Sequence, residues 1–395
     1  MERRPPELLD RLAIRAAFLH HSDRKSVREV AAELQTAGEP VRQDDDIRML
    51  IRRALTTGLV KIEVTRTPNT DTLDLDVRLG RRLAERFGMR NIYVVTDRAL
   101  AGLKYEDPLA YGDQIFLGLG WAAAGFLINR IRDSDTIAVG GGRALGFTVD
   151  ALEKLQKERR QSFANLSILS LVGNNIIRRQ DLRNLGDGNL TADTVAFNLA
   201  AILGVDFEQV RFVHLPLTLP ASLKKDVAGE VLKVLGGHLV SWQSPPDIAV
   251  FSMGSLNADH YMVAQRGPET EPVRGEIAAL IREILPQAPD SIAKICYKLF
   301  WVGDRSASSE LRERAGALMD AYNQKTVSVP LDLLNQAREK VLVAGGPEMV
   351  NAFRAVARAS VEAASGRSLE DYDGVVPTCL VTDAETAEAL ETMPI

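Results

Sequence analysis

Apolar positions divide the chain into two regimes. From Glu7 to about Val64 they recur with a helical period, with one short strand; from about Asp76 onward, apolar runs alternate with amphipathic stretches. In the first regime Leu8, Leu9, Leu12, Ala16 and Leu19 predict one helix. Ser26, with Glu29 three positions on, is a capping box that opens a second helix to about Gln35. After the break "TAGEP", Ile47, Leu50, Ile51, Ala54 and Leu55 fall at i, i+3, i+4, i+7 and i+8, a third helix that Gly58 ends. "LVKIEV" then alternates as a strand. Helix, helix, turn, helix, strand is the order of a winged helix-turn-helix, so residues 1–64 are expected to form a DNA-binding domain. The polar segment 65–75, with Pro68 and Asn69, reads as a linker.

The second regime, residues 76–395, carries the apolar runs "NIYVVTD", "DTIAVGGGR", "LSILSLVGNN", "PDIAVFSMGSLN", "KLFWVGDRSAS" and "KVLVAGGPEM", most of them followed by helical stretches. Near-continuous Val, Ile and Leu runs covered by helices predict an α/β domain with a mostly parallel sheet, whose ligands sit beyond the carboxyl ends of the strands. "DTIAVGGGRALGFTVDAL" shows the pattern best: a strand, Gly140 to Gly142, Arg143, then a helix. Glycines there let backbone N–H groups approach an anion, the helix N-terminus adds partial positive charge and Arg143 a full one. A glycine turn that only reverses the chain has the same pattern, and the recurrence of such loops favours a shared pocket.

Composition narrows the partners. The 395 residues are 46% hydrophobic and 26% charged, enough to bury a large domain and a small one, and the net charge of −5 provides no global basic field. DNA contact must then be local, through Arg28, Arg42, Gln43, Arg48, Arg52, Arg53 and Lys61. Asp44, Asp45 and Asp46 at the start of the third helix oppose a duplex, and they fit a helix N-terminus equally in a helical cap or dimerisation arm. Cys296 and Cys379 lack metal-ligand spacing and fit a reducing compartment, the five histidines have no ligand-like spacing, and no metal or cofactor is expected. "MERRPPELLDR" lacks a signal-peptide core, and no apolar run is long enough to span a bilayer, so a cytoplasmic protein without membrane contact is expected.

The blocks "RLAIRAAFLHH" to "TTGLVKIEV", "LAERFGMRNIYVV", "LGWAAAGFLINRIRDSDTIAVGGGRAL", "PDIAVFSMGSLN", "WVGD", "VLVAGGPEMVNAFRAVA" and "CLVTDAETAEAL" together resemble, in order and over nearly the whole chain, the SorC-type sugar-binding transcriptional regulators. That resemblance implies a helix-turn-helix joined to an effector domain related to phosphosugar isomerases, a double-stranded DNA operator, a sugar or sugar-phosphate effector, and a homodimer or homotetramer. Carried over residue by residue, it implies Gly140, Gly141, Gly142, Arg143, Ala144 and Leu145 as the phosphate-side loop. It further implies Asn174 and Asn175 at the sugar hydroxyls, with Gly254, Ser255, Asp304, Gly345 and Gly346 lining the rest, Asp304 either accepting from a hydroxyl or capping the following helix. The chain departs from the family at Met349, where many relatives place a lysine, and its stretch from Ala264 to Ile292 is longer, either an extra helix over the pocket or a surface insertion. No catalytic residue is assigned; the alternative is an isomerase-like sugar-phosphate enzyme with an N-terminal cap.

Overall fold

The computed structural model describes residues 6–21, 25–39, 44–57, 59–60, 74–96, 108–173, 191–213, 217–218, 244–254, 256, 271–289, 292–301, 307–346, 349–365 and 374–393. The chain divides into two compact units, Met1–Pro68 and Asn69–Ile395.

The first unit contains α1 (Pro6–His21), α2 (Val27–Thr36) and α3 (Asp44–Thr56). Its core is the apolar stripe of each helix: Leu12, Ala13 and Ala16 from α1, Val30 and Leu34 from α2, and Ile47, Leu50, Ile51 and Ala54 from α3. The capping box is formed: the Glu29 N–H donates to Ser26 Oγ at 3.3 Å and the Ser26 N–H donates to Glu29 Oε2 at 2.7 Å. Leu59 and Val60 pack on this core, while Lys61 to Val64, the rest of the expected wing, lie outside the described residues.

In the second unit the elements are β1 (Asp74–Leu75), α4 (Val77–Phe87), β2 (Asn91–Thr96), α5 (Pro108–Ile128), β3 (Thr136–Val139), α6 (Arg143–Arg159), β4 (Ser167–Ser170), α7 (Ala192–Leu203), β5 (Val210–Arg211), β6 (Ile248–Phe251), β7 (Met253–Gly254), α8 (Arg274–Ala279), β8 (Ile292–Ile295), β9 (Lys298–Trp301), α9 (Ser309–Lys325), α10 (Leu331–Asn335), β10 (Glu339–Val343), α11 (Val350–Ala364), β11 (Cys379–Asp383) and α12 (Ala384–Glu391). Eight strands form one sheet in the order β1-β2-β11-β10-β6-β3-β4-β5, parallel except where β1 meets β2. Alternate residues feed opposite faces. Ile137, Val139, Val341 and Val343 join Leu119, Leu145, Leu152 and Leu199 of α5, α6 and α7. Ala138 and Leu342 join Leu83 of α4, Tyr322 of α9 and Phe353 of α11 on the other face.

Three expectations change. Asp74 and Leu75, placed in the linker, pair with Thr96 and Val95 as an antiparallel edge strand. "KLFW" is no parallel strand: β9 hairpins with β8, and β7 completes a separate antiparallel sheet in the order β7-β8-β9. The periodicity of so short a run does not distinguish the two kinds of strand. Within the long stretch from Ala264, residues 271–284 are helical, and Val273, Ile277, Leu280 and Ile284 are fully buried, so this part belongs to the core. Its Glu276 pairs with Lys325 of α9 at 2.5 Å. No described helix is long and apolar enough to cross a membrane.

Candidate functional site

The main sheet reverses its direction of winding between β3 and β6. From β3 the chain steps outward to β4 and β5, then returns to β6 on the opposite side of β3 and proceeds to β10 and β11. The loops leaving β3 and β6 therefore diverge above the sheet and open a crevice, the place where open parallel sheets bind ligands. A cleft of about 110 Å³ lies there, lined by Gly140, Gly141 and Gly142 after β3, Val172 after β4, Ser252, Met253 and Gly254 after β6, and Lys294, Cys296 and Tyr297 of the small sheet.

One wall is the glycine loop. The Gly140 N–H donates to the Val250 carbonyl at 2.9 Å, fixing the loop to β6, and Ser252 Oγ donates to the Gly141 carbonyl at 3.2 Å. Gly142 holds φ at 115°, a conformation that L side chains rarely adopt, and a Cβ there would stand 3.3 Å from Ser252 Oγ. Gly142 is also the N-cap of α6 and brings no side chain to its first turn. The first-turn N–H groups have no intrahelical acceptor, so this end of a 17-residue helix attracts an anion.

The facing wall is the β8–β9 hairpin. Ile295 pairs with Lys298, leaving Cys296 and Tyr297 as a two-residue turn with φ of 49° and 60°. Positive φ at both positions is the type I′ signature, which ordinarily selects Asn and Gly. Neighbours hold the turn: Ser328 Oγ donates to the Cys296 carbonyl, and Asn323 accepts from the Leu299 N–H at 2.8 Å and donates to its carbonyl at 2.7 Å. Lys294 on β8 is buried, and that burial lowers its pKa from the usual lysine value to about 7. Burial pushes the Cys296 thiol up, so it stays protonated and unreactive at neutral pH.

Of the residues expected from the sequence, Gly140, Gly141, Gly142 and Gly254 meet at the cleft. Ala144 and Leu145 are buried beneath the loop. Arg143 is not in the lining: its guanidinium stacks 5.3 Å from the Phe116 ring centre and lies 3.4 Å from Asp113, both on α5. Gly345 and Gly346 are also absent from it. The Gly346 N–H donates to Asp383 Oδ2 at 2.7 Å and to Thr386 Oγ1 at 3.2 Å, tying that loop to the start of α12. Met349 packs half-buried against the core. Asn174, Asn175, Ser255 and Asp304 lie outside the described residues.

Sequence reasoning missed Lys294, Cys296 and Tyr297. Neither "IAKI" nor "KLFW" alternates as a half-exposed strand does, and the turn "CY" carries none of the residues that announce a hairpin.

In the first unit Arg28 and Arg48 are exposed. Arg53, expected to be available for DNA, is engaged within the unit: its Nε and Nη2 both reach Asp10 Oδ1 of α1 at 2.8 Å. Arg42, Gln43 and Lys61, and the side chain of Arg52, lie outside what is described.

Three helices in one unit and a mostly parallel sheet with a switch-point cleft in the other make an α/β protein with a small helical unit. This is the fold of the SorC-type regulators. The full-length sorbitol operon regulator SorC from Klebsiella pneumoniae superposes with a TM-score of 0.52 at 18% identity, over 96% of this chain and 98% of its own. A domain of a protein from Arthrobacter aurescens, described as a possible sugar-binding transcriptional regulator, matches with a TM-score of 0.53 at 15% identity, over 83% and 100%. A transcriptional regulator from Streptococcus pneumoniae matches with a TM-score of 0.52 at 16% identity, over 80% and 96%. No family model matches the sequence, and no curated protein does.

Proposed function

We propose that this protein is a cytoplasmic transcriptional regulator. Its residues 1–64 bind a double-stranded DNA operator as a winged helix-turn-helix, and its residues 76–395 bind a sugar or sugar-phosphate effector that controls operator affinity. The observation that carries the reading is the shared fold of the full-length sorbitol operon regulator, which extends over 96% of this chain rather than over the α/β part alone. The cleft adds its support: its glycine loop and open helix N-terminus suit an anionic or hydroxyl-rich small molecule.

The effector acts by favouring one of two arrangements of a homodimer or homotetramer that present the DNA-binding heads differently. The protein binds its effector without transforming it. Two assays test the reading. Selection of duplexes from a random pool by the purified full chain should return a defined sequence, and one sugar or sugar phosphate should raise the melting temperature and change the affinity for that duplex. Turnover of the sugar phosphate by the purified protein would instead support the isomerase-like alternative.

A further inference from the structure

The cleft holds a basic residue that is not the one expected from the glycine loop. Lys294 stands on β8, the middle strand of the small sheet, and shares the lining with Gly140, Gly141 and Gly142. Gly254 is its register partner on β7. A Cβ at 254 would lie 2.4 Å from Lys294 Cε and 3.0 Å from Nζ, so the end of the lysine side chain rests on bare backbone. On its other side the Nζ lies 5.4 Å from the centre of the Tyr297 ring. Glycine opposite and the ring beside it thus seat the ammonium in the cleft.

We propose that Lys294 is the anion-recognising residue of this cleft: its ammonium and the first-turn N–H groups of α6 take hold of one anionic group of the effector from the two walls. The proposal rests on the reading of the cleft as the effector site. An anion between these walls receives a charge-assisted hydrogen bond from the lysine and backbone donors from a helix N-terminus. Arg143 does not compete for this role, since it is turned to Phe116 and Asp113. Among effectors, those carrying a phosphate are favoured over their neutral parents, and Lys294 makes the distinction.

Isothermal titration of the full chain with glucose 6-phosphate, fructose 6-phosphate, the two parent sugars and inorganic phosphate tests this. Wild type is expected to bind a phosphorylated probe more tightly than its parent. Lys294→Met should weaken that probe by about tenfold to a hundredfold, and leave any binding of the parent sugar unchanged. Gly254→Ala provides a second variant with the charge intact: it displaces only the far end of a flexible side chain, so it should fold and still weaken the phosphorylated probe. Binding of the phosphorylated probe that is undiminished in both variants overturns the proposal, as does failure of every phosphate-bearing probe to bind wild type. Gly142→Val separates the two levels of the argument. Affinity lost in Gly142→Val and kept in Lys294→Met refutes the lysine and leaves the cleft as the site, whereas affinity kept in both refutes the cleft.

Discussion

A lysine buried as Lys294 is makes folding a proton-linked event. In the unfolded chain the amine keeps its proton up to about pH 10.4; in the folded chain it releases it above about 7. Between those values the unfolded state binds more protons, so stability rises with pH, and the penalty for the buried charge is complete below about 7. Cys296 and Tyr322, buried with their pKa values pushed up, act in the opposite sense once the unfolded thiol and phenol ionise at about 8.5 and 10. The clean window is therefore from about pH 7 to 8.5. Across it the wild-type melting temperature should rise, and Lys294→Met should flatten the rise and show its largest gain at the acidic end. A variant that keeps the full slope would assign the titration elsewhere, Lys340 being another lysine whose pKa burial lowers. The sequence could not announce such a residue, because a lysine in "IAKI" reads as a solvated position. Arg143 shows the converse: its place in the glycine loop was legible, but its attachment to Phe116 and Asp113 on α5 depends on tertiary packing.

Elements were legible where one local rule dominated. The capping box gave the start of α2 to the residue, and the strand–glycine–helix pattern gave β3 and α6, because each is decided within a few positions. Ser26→Ala should therefore destabilise the first unit by about 1 kcal/mol, seen as faster hydrogen exchange in α2 with no change in the sheet. The β8–β9 hairpin was not legible, since its turn is enforced from outside by Asn323 and Ser328. Asn323→Ala removes both side-chain bonds to Leu299 and leaves its N–H and carbonyl to find other partners, a loss of about 2–3 kcal/mol by chemical denaturation. It should also loosen the cleft, since Cys296 and Tyr297 line it. An Asn323→Ala protein of undiminished stability would mean the strained turn is held by the Ser328 bond and packing without Asn323. The amino edge of the sheet is tied by a different device. Arg338 meets Asp135, which is only 5% exposed, through two bonds of 3.0 and 2.8 Å. Arg338→Met should cost about 3 kcal/mol, because it leaves that carboxylate buried without its cation.

At the scale of the whole molecule, a chain of net charge −5 can hold an operator only through local cations, and their number is measurable. The slope of log affinity against log salt counts the phosphates neutralised, at roughly 0.9 for each. Arg48 is exposed on α3, whereas Arg53 is half-buried against Asp10, so the two arginines of one helix should differ in how readily they reach a duplex. Arg48→Ala is expected to lower the slope by about one and weaken binding to all duplexes alike. Arg53→Ala is expected to leave the slope unchanged and act through stability. Equal slopes for Arg48→Ala and wild type would favour a helical cap over a DNA reader. Coupling to the effector follows from linkage. If the effector changes operator affinity by some factor, saturation with operator must change effector affinity by the same factor, since both paths join the same end states. Titrating the phosphorylated probe into the protein with and without operator should therefore reproduce the factor found by titrating operator with and without probe. Gly142→Val should bring both factors to one while the salt slope stays at its wild-type value. A variant that loses its effector response and its salt slope together would show that the substitution had unfolded the protein rather than emptied the cleft.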